Sequence, residues 1–90
     1  MNIEEILEQV VNKCKHHGIE EVILFGSWAK GLESERSDID IAVGGVNDIE
    51  SLREDIESIP TLRSFDIVDI KTCKNELLLK EINQYGRKIL

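Results

Sequence analysis

The chain has 90 residues, with 18 Asp or Glu against 11 Lys or Arg, and its formal net charge is −7. Proteins that bind a polynucleotide usually carry a basic stripe, whereas the basic residues here are scattered among acids, so a polynucleotide is not expected as the main partner. The acidic segment 1–5 and the lack of a long apolar run argue against a signal peptide or a membrane anchor. The two distant cysteines, Cys14 and Cys73, are typical of a reduced cytoplasmic protein. We expect one domain, residues 1–90, with a small core.

The first segment is predicted to form an amphipathic helix. Its apolar residues recur at helical spacing, and they are Ile3, Ile6, Leu7, Val10, Val11 and Cys14. Asn2 is suited to cap the start of this helix and Gly18 to follow its end. Cys14 is therefore expected in the core.

A short apolar run leads directly into a glycine-serine turn. Val22–Phe25 has the length of a buried strand, and a short helix is expected over 28–30. The start of a helix offers free N–H groups and partial positive charge, which favour an anion. Gly26 lets a phosphate approach the backbone, and Ser27 offers a hydroxyl. These two residues are candidate phosphate ligands, and an ordinary strand-to-helix turn is the alternative.

Two side chains of the predicted short helix have alternative interpretations. Lys30 is a candidate nucleotide-binding residue through its charge, and a solvated surface position is the alternative. Trp28 is suited to stack on a base, but packing or partner contact is the favoured interpretation.

Asp38 and Asp40 stand in an alternating segment. Neighbouring side chains of a strand point to opposite faces, so the two aspartates share one face while Ile39, Ile41 and Val43 share the other. Adjacent carboxylates repel each other, and burying them unpaired is costly. A hard divalent cation removes that cost, and Mg²⁺ fits best because it takes carboxylates, phosphates and water. A solvated strand face is the alternative.

The middle of the chain is predicted to contain a second long helix. It follows Gly44 and Gly45, and Asn47 with Glu50 has the spacing of a capping box. Its apolar side consists of Ile49, Leu52 and Ile56. Pro60 is expected to end it.

A third predicted strand, Phe65–Ile70, carries two further acids. Asp66 and Asp69 are three residues apart, so on a regular strand they face opposite ways. Asp66 is favoured as the third metal ligand, because Phe65 and Ile67 then face a core. Asp69, near the strand end, is the weaker candidate and is expected to be solvated. Three carboxylates suit two metal ions about 3.5–4 Å apart, an arrangement that serves phosphoryl transfer.

A last helix is predicted from a cap at Thr72 to a break at Gly86. Leu77, Leu78 and Ile82 form its apolar side, with Tyr85 as a packing residue, and a short tail follows. The alternation of helices and strands predicts an α/β fold. We expect the helices over one main face of a sheet of three or slightly more strands, with the site at the strand ends on the open side.

The turn and the aspartate pair together resemble the signature of the minimal nucleotidyltransferases of the DNA polymerase β-like nucleotidyltransferase superfamily. The residues that carry this resemblance are Gly26, Ser27, Ala29, Gly31, the segment 37–43, and Asp66 at the position of the third acid. It extends from about Ile19 to Ile70. Two residues depart from the family pattern. Trp28 stands where arginine or tyrosine is usual, and Lys30 stands where arginine is frequent.

The resemblance implies a polymerase β-like nucleotidyltransferase fold, a small mixed sheet flanked by helices, and Mg²⁺-dependent transfer of a nucleotide from a triphosphate to a hydroxyl. Asp38, Asp40 and Asp66 are then the catalytic metal ligands for two ions. Small members of this kind are often antitoxins that add AMP from ATP to a tyrosine of a HEPN-domain toxin. In so short a chain the acceptor surface is expected from that toxin or from a second copy in a homodimer.

Two other functions are compatible with the same residues. The chain is alternatively a binding module that neutralises its partner by contact, with a slow or silent nucleotide site. Transfer to a small molecule such as an aminoglycoside is disfavoured, because no second domain is expected to form that substrate's pocket.

Overall fold

The computed structural model describes residues 1–34 and 36–90, which form a four-stranded mixed sheet flanked by helices. In chain order the elements are α1 (Ile3–His16), β1 (Val22–Phe25), α2 (Ser27–Lys30), β2 (Ile39–Val43), α3 (Ile49–Glu57), β3 (Phe65–Asp69), α4 (Glu76–Tyr85) and β4 (Arg87–Lys88). The strand order is β3-β2-β1-β4. The pairs β1–β2 and β1–β4 are antiparallel, and β2–β3 is parallel.

One face of the sheet packs against α1 and α3. The apolar stripe of α1 buries Ile6, Val10 and Cys14, and α3 buries Leu52 and Ile56. These side chains form one cluster with the inward residues of β1, β2 and β3. Burial raises the pKa of the Cys14 thiol to about 11, so this cysteine is an unreactive core residue, as expected.

The opposite face is partly covered by α4, which corrects the expectation of helices over one main face. Ile82 of α4 is buried against Phe25 of β1 and Ala42 of β2. Because strand side chains alternate, β2 sends Ala42 and Asp40 to this second face. The second face therefore carries both a small apolar cluster and the acidic residues.

Two helix caps differ from the sequence-based expectation. Asp48, not Asn47, caps α3, because its carboxylate accepts a hydrogen bond from the Ser51 N–H at 3.1 Å. Asn75, not Thr72, caps α4 by accepting from the Leu78 N–H. Asn2 caps α1 as expected. Each actual cap is the polar residue three positions before the N–H that needs a partner.

The segment after α4 is not a free tail. Arg87 and Lys88 form β4, which pairs with β1 at its outer edge. The backbone of Ile89 and Leu90 then bonds to Val22, and both side chains pack against the main core. The two residues of this strand are charged and lack apolar alternation, so their pattern does not predict a strand. Among the described helices, none combines the length and the apolar character needed to cross a bilayer.

Candidate active site

Two aspartates lie opposite each other on neighbouring parallel strands. The register of β2 and β3 places Asp40 opposite Asp66, and residues opposite each other point to the same face of a sheet. Asp38 lies just before β2, near enough for its charge to act on Asp40. Asp38 and Asp66 are exposed, and Asp40 is partly buried. The structure thus brings these three carboxylates to the same end of β2 and β3.

The glycine-serine turn touches this acidic group directly. Phe25, the last residue of β1, pairs with Asp40, so Gly26 emerges beside it. Gly26 has φ +71° and ψ −151°, a conformation essentially restricted to glycine. A Cβ built on Gly26 would lie 2.0 Å from Oδ2 of Asp40. Both its conformation and its contact with Asp40 therefore require glycine at this position.

The short helix α2 begins at Ser27, immediately after this glycine. It is a single turn closed by the hydrogen bond from the Lys30 N–H to the Gly26 carbonyl, 3.2 Å. Gly31 ends it in the left-handed conformation, and its N–H donates to the Ser27 carbonyl. The predicted order of strand, glycine-serine turn and short helix is present. The start of α2 adjoins Asp40, which would place a bound anion next to the carboxylates.

The electrostatics at Asp40 show how tightly negative charge is grouped. Burial is the largest cause that raises the pKa of Asp40, from 3.8 to about 6, followed by the charges of Asp66, Asp38 and Glu81. Every one of these causes penalises the ionised form. A cation held among these carboxylates would relieve that penalty.

The same side chains are the candidate ligands of a metal ion. Within the described residues, no three or more His, Cys, Asp and Glu side chains converge so as to hold a metal ion. The donor atoms are nevertheless oxygens of adjacent carboxylates, which is the chemistry that Mg²⁺ prefers. Because Asp38 and Asp66 are exposed, a change of rotamer is open to both. The donor set therefore suits Mg²⁺, although it is not arranged around a common point.

Asp69 lies on the other face of β3 and is 6% exposed, so the expectation that it is solvated is wrong. Its Oδ1 accepts from the Lys71 N–H at 2.9 Å and its Oδ2 from the Val46 N–H at 3.3 Å. These bonds tie the turn after β2 to the turn after β3. Asp69 thus has a structural partner set, away from Asp40.

The opposite end of the sheet contains a polar cavity of about 290 Å³ that adjoins Asp69. Its lining includes His17, Asn47, Lys71 and Thr72. The ring of His17 is engaged with Asp55 of α3 at 2.6 Å, and this hydrogen bond lowers the pKa of Asp55. His17 therefore links the end of α1 to α3.

Lys30 lies beside α4, in a contact that its sequence neighbours do not predict. Its ammonium group forms an ion pair with the Glu81 carboxylate and lies 5.0 Å from the centre of the Tyr85 ring. One glutamate among many on an amphipathic helix gives no sequence signal of such a contact. Only the spacing of four residues between Glu81 and Tyr85 indicates that both lie on one face of the helix. Trp28 packs against the main core beneath the guanidinium of Arg63, 4.8 Å from its ring centre, as a packing residue would.

A family model described as "Polymerase beta, Nucleotidyltransferase" matches residues 8–90. The chain is also 35% identical, over its whole length, to a protein named "Putative protein adenylyltransferase MJ0604" from Methanocaldococcus jannaschii, 93% of which is covered. A second protein of that organism, "Putative protein adenylyltransferase MJ0435", is 42% identical over 43 residues, which are 48% of this chain and 46% of that protein.

Solved structures show the same fold. A crystal structure of a toxin-antitoxin with AMP-PNP superposes with a TM-score of 0.76 at 22% identity, covering 92% of this chain and 71% of that chain. A mutant of the toxin-antitoxin MntA-HpeT superposes with a TM-score of 0.71 at 21% identity, covering 100% and 73%. At these identities the likeness establishes the fold alone.

The fold and the match over most of the chain define a nucleotidyltransferase. The chain belongs to the polymerase beta nucleotidyltransferase family.

Proposed function

We propose that this chain transfers AMP from ATP to a hydroxyl group of a partner protein. The observation that carries the proposal is the register of Asp40 with Asp66, next to a glycine turn that contacts Asp40. Support for AMP and for a protein acceptor comes from the 35% identical relative, which is named a protein adenylyltransferase.

Asp38, Asp40 and Asp66 would hold magnesium, with two ions expected. Bound there, the metal would neutralise charge on the triphosphate and lower the pKa of the acceptor hydroxyl. Because charge stabilisation and positioning dominate reactions of this type, the acidic group is the part of the site that we expect to be indispensable.

The remaining roles in the proposed reaction belong to the glycine-serine turn, Lys30 and Asp66. The backbone of Gly26 and the hydroxyl of Ser27 bind the β- and γ-phosphates, and Lys30 supplies a positive charge nearby. Asp66 accepts the proton of the acceptor hydroxyl as a general base. The acceptor oxygen forms a bond to the α-phosphorus, the bond to the β-phosphate oxygen breaks, and pyrophosphate leaves.

The partner that we propose is a HEPN-domain toxin in the cytoplasm, with the chain acting as its antitoxin. Two of the structures with the same fold are described as toxin-antitoxin complexes. The chain's net charge of −7 suits a basic partner surface. A second copy of this chain is the alternative source of the acceptor surface.

The transfer is tested with ATP labelled at the α-phosphate, magnesium and a HEPN-domain toxin as the candidate partner. The account predicts label on the toxin with the wild-type chain and none with the Asp38→Asn, Asp40→Asn double variant. Label transfer that persists in the double variant would refute the assigned roles. ATP labelled at the γ-phosphate serves as the control, because the nucleotidyl transfer releases that label as pyrophosphate.

The alternative function is neutralisation by binding alone. The observation that favours it is that the carboxylates, in the part of the chain described, do not converge around a common point. The two functions are separated by titrating the toxin's activity with the wild-type chain and with the double variant. Equal neutralisation at equal dose would show that binding suffices.

A further inference from the structure

The contact between α2 and α4 is built around Lys30. Its ammonium group pairs with Glu81 and lies over the ring of Tyr85, so one cation has two partners on the same face of α4. The side chains of Lys30 and Glu81 are 28% and 34% exposed, so the pair is only partly screened by solvent. An incoming anion that approaches Lys30 must therefore compete with an existing carboxylate.

This contact adjoins the candidate active site. Lys30 ends the helix that begins beside Gly26, and the charge of Glu81 is among those that act on Asp40. The helix α2 has no buried residue, whereas α4 is fixed to the sheet through the buried Ile82. The ion pair thus holds the end of a lightly packed helix against a better anchored one.

We propose that Glu81 and the bound nucleotide compete for Lys30, so that Glu81 acts through Lys30 as a positioning residue that limits nucleotide affinity. The inference rests on the proposed function, because it requires a triphosphate on α2. In the chain without nucleotide, Lys30 is held by Glu81. When the triphosphate binds, the ammonium exchanges the carboxylate for a phosphate oxygen.

The expected size of the effect follows from the partial exposure of the pair. Partly exposed ion pairs contribute little, so removal of the competing carboxylate is expected to tighten nucleotide binding by about two- to fivefold. General repulsion between Glu81 and the triphosphate would also tighten binding, but it would do so whether or not Lys30 is present. A double-mutant cycle separates the two effects.

The experiment measures the dissociation constant of AMP-PNP in magnesium buffer, using the fluorescence of Trp28, the chain's single tryptophan, with calorimetry as a second method. Four proteins are compared: the wild type, Glu81→Gln, Lys30→Met and the double variant. We expect tighter binding by Glu81→Gln, weaker binding by Lys30→Met, and no effect of Glu81→Gln when Lys30 is already replaced. Glu57→Gln, at an exposed acid of α3, is the control for the change in net charge.

Four results would overturn the inference. Weaker binding by Glu81→Gln would mean that Glu81 prepares Lys30 for the nucleotide instead of competing for it. Equal tightening in both backgrounds would mean general repulsion, as would the same tightening in the Glu57→Gln control. If the wild type itself does not bind AMP-PNP, the proposed function fails as well, whereas the other three results leave it intact. In steady-state transfer the competition predicts a lower KM for ATP with Glu81→Gln.

Discussion

Asp40 lies between the glycine turn on β1 and Asp66 on β3, so changes at this residue affect both halves of the candidate site. Its pKa is raised to about 6 by burial and by three neighbouring acids. In the unfolded chain the same carboxyl group titrates near 3.8. The native state therefore binds this proton more tightly than the unfolded state does, which links stability to pH.

We predict that the metal-free protein loses stability as pH rises from about 4 to about 6. In this window the unfolded state has released the proton of Asp40 while the native state still holds it, so each step upward favours unfolding. The Asp40→Asn variant has no carboxyl group to ionise at this position. It should therefore be more stable than the wild type at pH 7, by on the order of 1 kcal/mol after allowance for solvent screening.

Urea unfolding of both proteins at several pH values measures this difference. The difference in the free energy of unfolding between the Asp40→Asn variant and the wild type should become smaller toward pH 4. Magnesium should stabilise the wild type at pH 7 but not the variant. A difference in unfolding free energy that does not change with pH would contradict the assignment of the raised pKa to Asp40.

Gly26→Ala is predicted to be much more damaging than Gly31→Ala. Both glycines have a positive φ, +71° and +72°, so both substitutions strain the backbone, by about 1–2 kcal/mol where the left-handed helical conformation is required. A Cβ at Gly26 would in addition overlap Asp40, whereas one at Gly31 meets nothing within 4 Å. We expect Gly26→Ala to lose both thermal stability and AMP-PNP binding, whereas Gly31→Ala should lose only stability. Thermal unfolding and a binding titration measure the two properties. Equal effects of the two substitutions would remove the argument for a close approach between Gly26 and Asp40.

The acids of β3 are predicted to separate function from stability. Asp66→Asn should abolish label transfer and leave the stability within about 0.5 kcal/mol, because Asp66 is exposed. Asp69→Asn should cost about 1–3 kcal/mol, because its carboxylate satisfies two backbone N–H groups and an amide cannot accept at both atoms. Denaturant unfolding and transfer assays on the same preparations check this. If the Asp69→Asn variant kept its stability but lost label transfer, Asp69 and not Asp66 would be the acid required for function.

For single residues, the sequence predicted which aspartates share a face of the sheet better than it predicted their contacts. Alternation along β2 and β3 was enough to separate Asp66 from Asp69, because a strand has a fixed period of two. The register of Asp40 with Asp66 was beyond the sequence, since parallel pairing is decided by the whole sheet. For the same reason the contact of Gly26 with Asp40 and the pair of Lys30 with Glu81 were seen only in the structure.

The helices differ in how firmly they are attached to the sheet. α1 buries three residues and α3 buries two, whereas α4 buries only Ile82. Segments with few buried apolar contacts open at lower free energy than the rest of a protein. α4, which carries Glu81 and Tyr85, is therefore expected to be the most easily opened of the three long helices.

Hydrogen exchange should show faster exchange at the amides of α4 than at those of α1. Ile82→Ala should cost about 2–4 kcal/mol, because it leaves a cavity against Phe25 and Ala42, and should increase exchange first in α4. Leu77→Ala is the control on the same helix, since Leu77 is 78% exposed and its truncation should change stability by less than about 0.5 kcal/mol. Exchange that is equally slow in α1 and α4 would contradict this order.

Element positions were largely predictable, and element ends were not. The apolar periodicity was strong enough to predict α1, α3 and the three strands β1, β2 and β3. The caps at Asp48 and Asn75 were missed because several capping residues lie close together in each loop. β4 was missed because two charged residues become a strand only through long-range pairing with β1.

The described part of the molecule places its acidic group on the face that α4 covers only in part. We therefore expect the acceptor hydroxyl to come from another protein surface, and the proposed toxin is the first candidate to supply it. Label transfer to the chain itself in the absence of that partner would instead support a second copy as the acceptor.

The central claim, a site for magnesium and a nucleotide at Asp38, Asp40 and Gly26, is tested most directly by a crystal structure with magnesium and AMP-PNP. The account predicts metal bound to Asp38 and Asp40, with the β- and γ-phosphates on the backbone of Gly26 and Ser27. A nucleotide seated elsewhere at saturating concentration, or metal ligation that leaves out Asp40, would contradict it.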